Sequence, residues 1–88
     1  MKKRPVISET ANNYGPVIHQ YGRFRVVPCK HAIQWCIQRQ KGGPGSDWRG
    51  EGYCRTRDGL LACWLRLAGE SDQSVLLALP DRIEGGAL

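Results

Sequence analysis

Four cysteines and two histidines are the residues of this 88-residue chain best equipped for chemistry. Cys29 stands two positions before His31, and Cys36, Cys54 and Cys63 follow with six, seventeen and eight intervening residues. Structural zinc is held by two close ligand pairs, because each pair must close a short turn around the ion. Only Cys29 and His31 make such a pair, so no metal or other cofactor is expected. A catalytic thiol needs a base beside it and a group to orient that base. Neither His19 nor His31 is placed against a particular cysteine by spacing. The acids mostly flank helices, where they serve caps and dipoles, so paired-carboxylate chemistry is not indicated either. The expectation is a protein that is not an enzyme and has no small-molecule substrate.

The arginines are more informative. In Gly52-Tyr53-Cys54-Arg55-Thr56-Arg57-Asp58-Gly59 an extended segment runs into a helix, and two arginines sit at the helix start. A helix N-terminus carries partial positive charge and unpaired N–H groups, so cations there are unfavourable. Either an anion docks at Arg55 and Arg57, or Arg55 pairs with Glu51 while Arg57 extends into water. Arg23, Arg25, Arg39, Lys41, Arg49, Arg55 and Arg57 could also follow a phosphate backbone, with Lys2-Lys3-Arg4 as a loose arm. Tyr21, Tyr53 and Trp48 could stack on bases if exposed.

These groups need elements to hold them. Phe24 and Val26 alternate with Arg23, Arg25 and Val27 in a strand that Pro28 ends. Over residues 32–40, Ile33, Trp35 and Ile37 fall on one face, with Gln34, Cys36 and Gln38 on the other. Gly42-Gly43-Pro44-Gly45-Ser46 is a loop, and residues 48–55 form a third strand in which Gly50 and Gly52 suggest a bulge. Thr56 is a good N-cap and Gly69 a good C-terminal stop for a helix over about 56–68. Its apolar arc covers more than half the wheel and needs two partners. A shorter helix over about 72–79, capped by Ser71 and packed through Val75, Leu76 and Leu79, would be one of them.

The fold expected is therefore α+β. A three-stranded antiparallel sheet is covered on one face by a main helix and a short C-terminal one. Residues 1–20 are a flexible lead-in, with an edge strand suggested near Val17-Ile18-His19. Residues 21–80 are the single domain, and residues 81–88 are a frayed tail. The uncovered sheet face would show Arg23, Arg25, Gln34 and Gln38, a flat basic platform.

Charge supports a polar partner. Net charge is +2 over residues 1–20, +6 over residues 21–57 and −3 over residues 58–88, within a total of +5. Such a dipolar molecule suits phosphates or acidic protein surfaces. No apolar run follows Lys2-Lys3-Arg4 before Asn12, and Val75 to Leu79 is too short to cross a bilayer. A cytoplasmic protein with reduced cysteines and no membrane partner is expected.

The segments Arg25 to Trp35 and Trp48 to Leu61 resemble short alphaproteobacterial and prophage proteins, a group that includes anti-CRISPR inhibitors. The resemblance spans roughly residues 25–61 and contains no catalytic motif. It implies a non-enzymatic interaction module that blocks a nucleic-acid-guided effector through a basic surface. Positive net charge argues against DNA mimicry, which needs acidic groups. The contact residues would be Arg23, Arg25, Gln34, Gln38, Arg39, Arg49, Tyr53, Arg55 and Arg57. The partner would be a protein complex that handles nucleic acid. The alternative is a small cytosolic protein that binds nucleic acid directly.

Overall fold

The computed structural model describes residues 8–69 and 73–83. The Lys2-Lys3-Arg4 arm, the Ser71 cap and the last five residues of the tail lie outside them. The elements in chain order are β1 (His19–Tyr21), β2 (Phe24–Pro28), β3 (Trp35–Gln40), β4 (Trp48–Cys54), α1 (Arg57–Ala68) and α2 (Ser74–Leu77). The strands form one antiparallel sheet in the order β1-β2-β3-β4.

The sheet has four strands rather than three. The additional one, β1, was expected only as an edge fragment two residues earlier. His19, Gln20 and Tyr21 carry no apolar alternation to mark them. Their pairing follows from a two-residue turn between Tyr21 and Phe24, in which Gly22 adopts φ 59°. Glycine at the first central position of such a turn lets the strands keep their natural twist.

The strand expected over residues 32–40 is β3, and it starts later than its alternation indicated. Pro28 pairs with Trp35, and residues 29–34 form the hairpin loop between them. The loop is closed by Cys29 N–H donating to Gln34 O and Ala32 N–H donating to Cys29 O, with Ala32 at φ 56°. Gln34 thus belongs to a turn, and Ile33 projects outward, 41% exposed. The bulge in β4 is present. Ile37 pairs with Gly52 and Gln38 with Gly50, which leaves Glu51 as the extra residue.

Helix α1 begins at its capping threonine. Thr56 Oγ1 accepts from Gly59 N–H at 3.1 Å, and Gly69, at φ 76°, ends the helix with its N–H on Leu65 O. Leu60, Cys63 and Trp64 of α1 and Leu76 of α2 share an apolar cluster with Val26, Trp35 and Ile37. Gly52 allows the close approach, since a Cβ there would lie 2.6 Å from Cys63 Sγ. The second helix is shorter than expected. Only Leu76 is fully buried there, Leu79 packs at the cluster's edge, and Val75 is exposed. Residues 81–83 are tied down: Arg57 N–H donates to Asp81 O, and Ile83 N–H to Arg55 O. Across the sheet, Val27, Cys29 and Cys36 form a smaller cluster against Tyr14.

Candidate functional site

The expected platform of Arg23, Arg25, Gln34 and Gln38 does not exist as an open face. Arg25 and Gln38 are cross-strand partners, but they are 2% and 1% exposed because residues 9–14 lie over them. Arg25 Nε donates to Gln38 Oε1 at 2.8 Å, and its Nη2 donates to the backbone carbonyls of Glu9 (3.1 Å) and Ala11 (3.0 Å). Its guanidinium stands 4.4 Å from the Trp48 ring centroid, a cation–π contact. Gln38 Nε2 donates to Glu9 O at 2.9 Å. Burial lowers the Arg25 pKa from its ordinary value.

Trp48 is equally committed. It is 1% exposed, its backbone N–H donates to Thr10 O, and its indole Nε1 donates to Asn12 Oδ1 at 3.0 Å. It presents no stacking surface for a base. The stretch expected as a lead-in is, over residues 8–14, a hydrogen-bonded cover for the sheet. Tyr14 Oη extends it by donating to Pro28 O at 3.0 Å.

Four cations that remain outside converge at one end of the sheet. Arg39 and Arg49 face each other across β3 and β4, and with Gln40 and Lys41 they line a recess of about 130 Å³. Arg23 joins them by donating from Nη2 to Gln40 O at 2.8 Å. Among the described residues one carboxylate relieves this charge: Glu51 pairs with Arg49 at 3.1 Å. Like charges placed directly opposite on a sheet destabilise it, so this cluster is an electrostatic cost to the fold.

The corner at the helix start is a different matter. Arg57 does not reach into water. It pairs with Asp81 at 2.8 Å and donates from Nη1 to Leu79 O at 2.8 Å, which fastens the C-terminal segment beside the N-terminus of α1. The anion expected at this point is the chain's own Asp81. Arg55 is exposed and does not pair with Glu51, whose partner is Arg49. Tyr53 is exposed too, its phenol lying over Gly50. Arg49 and Arg55 sit at opposite ends of β4, on the order of 20 Å apart at strand rise. The basic residues thus form two separate groups instead of one platform.

The cysteines divide between the two faces. Cys29 and Cys36 pack with Val27, whereas Cys54 and Cys63 border the larger cluster. Among the described residues no three or more His, Cys, Asp or Glu side chains gather closely enough for a metal ion. Burial, with the Glu9 carboxylate nearby, pushes the Cys36 thiol up to about 12. Burial and neighbouring Cys63 push Cys54 to about 11. Both thiols are therefore protonated and poor nucleophiles at neutral pH. The His19 ring packs against Trp64 at a tilt of 58°, 5.4 Å between centroids, and no partner among the described residues meets its buried Nε2.

Sequence reasoning passed over a second recess, lined by Ile33, Arg55, Arg82 and Ile83. Two of its walls come from residues read as tail, and only the pairing of Arg82 with Thr56 brings them to the sheet. No helix among the described residues is long and apolar enough to cross a membrane. No known protein family, curated protein or solved structure matches the chain.

Proposed function

We propose that this chain is a non-enzymatic interaction module that receives an anionic partner on the Arg23, Arg39, Lys41 and Arg49 end of its sheet. One observation carries the reading. Arg39 and Arg49 are held directly opposite each other with Lys41 beside them and, among the described residues, one carboxylate paired with them, that of Glu51. An external anion would remove that repulsion. The recess is small and has polar walls, so it suits phosphate groups better than an apolar ligand. The partner that fits is a phosphate backbone, free or displayed by a complex that handles nucleic acid. An anti-CRISPR inhibitor would be one form of such a module, engaging the phosphates of the nucleic acid that a guided effector handles.

Titration with single-stranded and duplex oligonucleotides at several salt concentrations tests this. Three or four phosphate contacts predict a log–log salt slope of about −3. The double variant Arg39→Gln/Arg49→Gln should reduce that slope by about 2 and weaken all sequences alike. An absence of binding at low salt removes direct nucleic-acid contact and leaves an acidic protein surface as the partner.

A further inference from the structure

The second recess differs in chemistry from the basic end. It measures about 280 Å³, at the lower limit of the roughly 300–1,000 Å³ typical of small-molecule sites. Two walls are isoleucines and two are arginines. Ile33 projects from the β2–β3 loop, and Ile83 is fixed by its N–H on Arg55 O at 3.1 Å. The antiparallel bridge between Thr56 and Arg82 holds the two arginines on neighbouring segments. Among the described residues, neither the Arg55 nor the Arg82 side chain makes a hydrogen bond or ion pair, because Asp81 is taken by Arg57.

We infer that this recess docks an acidic–aliphatic peptide segment of a partner protein, with a carboxylate between Arg55 and Arg82 and an aliphatic side chain against Ile33 and Ile83. Arginine flanking apolar contact area is the composition of interface anchors. Asp58 and Asp81 line the adjoining recess together with Arg82. A phosphodiester track continuing past Arg82 would meet those two carboxylates, whereas a short peptide can stop before them. The isoleucines offer no ring on which a base could stack. The two ends of β4 thus take different anions, phosphate at Arg39 and Arg49, carboxylate at Arg55 and Arg82.

The test is a titration of the methyl-labelled full chain with the peptide acetyl-Glu-Leu-Asp-Leu-Glu-amide. Saturable shifts of the Ile33 and Ile83 methyls are expected. A peptide of equal charge with serine for leucine should bind at least tenfold more weakly. Arg55→Gln/Arg82→Gln and Ile33→Ser should each weaken the first peptide at least tenfold, while Arg39→Gln/Arg49→Gln changes it less than twofold. The two-peptide comparison uses the unaltered chain and so does not depend on any variant folding. The inference is overturned if millimolar peptide moves neither methyl or if the serine peptide binds equally. It is also overturned if an oligothymidine moves both methyls as strongly as the leucine peptide. Loss of oligonucleotide binding at Arg39 and Arg49 leaves it standing, because those residues lie outside this recess.

Discussion

The two faces of the sheet are buried by different means. On one, Val26, Trp35 and Ile37 meet Leu60, Cys63, Trp64 and Leu76, and the attraction is non-directional. On the other, Arg25, Gln38 and Trp48 are covered by residues 9–14, and each buried donor named above finds a carbonyl or amide acceptor. The acceptors exist because that segment turns tightly, with Ala11 N–H on Ser8 O and Tyr14 N–H on Ala11 O. Such turns aim the Glu9 carbonyl at the arginine, and Ala11 O accepts from Arg25 as well as from Tyr14 N–H. A strand that alternates polar with apolar is not thereby open to water. Its polar side can be sealed by the chain's own backbone, provided the donors are matched.

Removing the central group from each face gives the largest effects. Trp64→Ala should cost about 3–5 kcal/mol through the cavity it leaves, enough to unfold much of a marginally stable small domain. Arg25→Leu should cost about 1–3 kcal/mol, since it leaves the buried Gln38 Oε1 without its donor and removes one of the two donors on each of Glu9 O and Ala11 O. Urea denaturation measures both. Adding Gln38→Leu to Arg25→Leu should cost less than the two single changes together, because they share one network. Strict additivity would mean that the polar face is not a unit.

High pH sharpens the contrast. A thiol whose folded-state pKa is raised holds its proton more tightly when folded. Its contribution is complete below its ordinary value and drains away as pH rises through the folded one. For Cys36 on the polar face the window runs from 9.0 to about 12, and for Cys54 on the apolar side from 9.0 to about 11. Stability measured by denaturation should fall across this range. Cys36→Ala should flatten the fall more than Cys54→Ala does, and an unchanged slope in both would remove the thiols as its cause.

The smallest effect separates two glycines of β4. Gly52→Ala drives a methyl against Cys63 on the helix and should cost about 1–3 kcal/mol. Gly50→Ala meets only the end of the exposed Tyr53 ring, which can swing into water, and should cost less than about 0.5 kcal/mol. Thermal melts of the two variants check the order, and equal losses would place comparable rigidity on both faces.

Much of the framework was legible in advance, for reasons local to each residue. Thr56 and Gly69 mark α1 because a hydroxyl and a left-handed backbone are needed at those positions. Gly50 and Gly52 announce the bulge, and the glycine-rich run at 42–46 announces the loop. The strand β1 was weakly marked because a three-residue edge is defined by its partner, not by its own pattern. Ile33 misled the reading of β3: it continues the apolar alternation, yet the turn at Ala32 removes it from the strand. The candidate site was harder still. Arg39 and Arg49 are ten residues apart in sequence and meet only through register.

By itself the sequence determined where the main helix starts and stops, which residues of β2, β3 and β4 alternate, and that excess positive charge lies between residues 21 and 57. Only the tertiary structure decided which arginines are free. Arg25 is sealed by backbone carbonyls, Arg57 is held by Asp81, and Arg39 is left opposite Arg49. Side-chain type sets what a residue can bond to, but the partner it meets is set by chain segments distant in sequence.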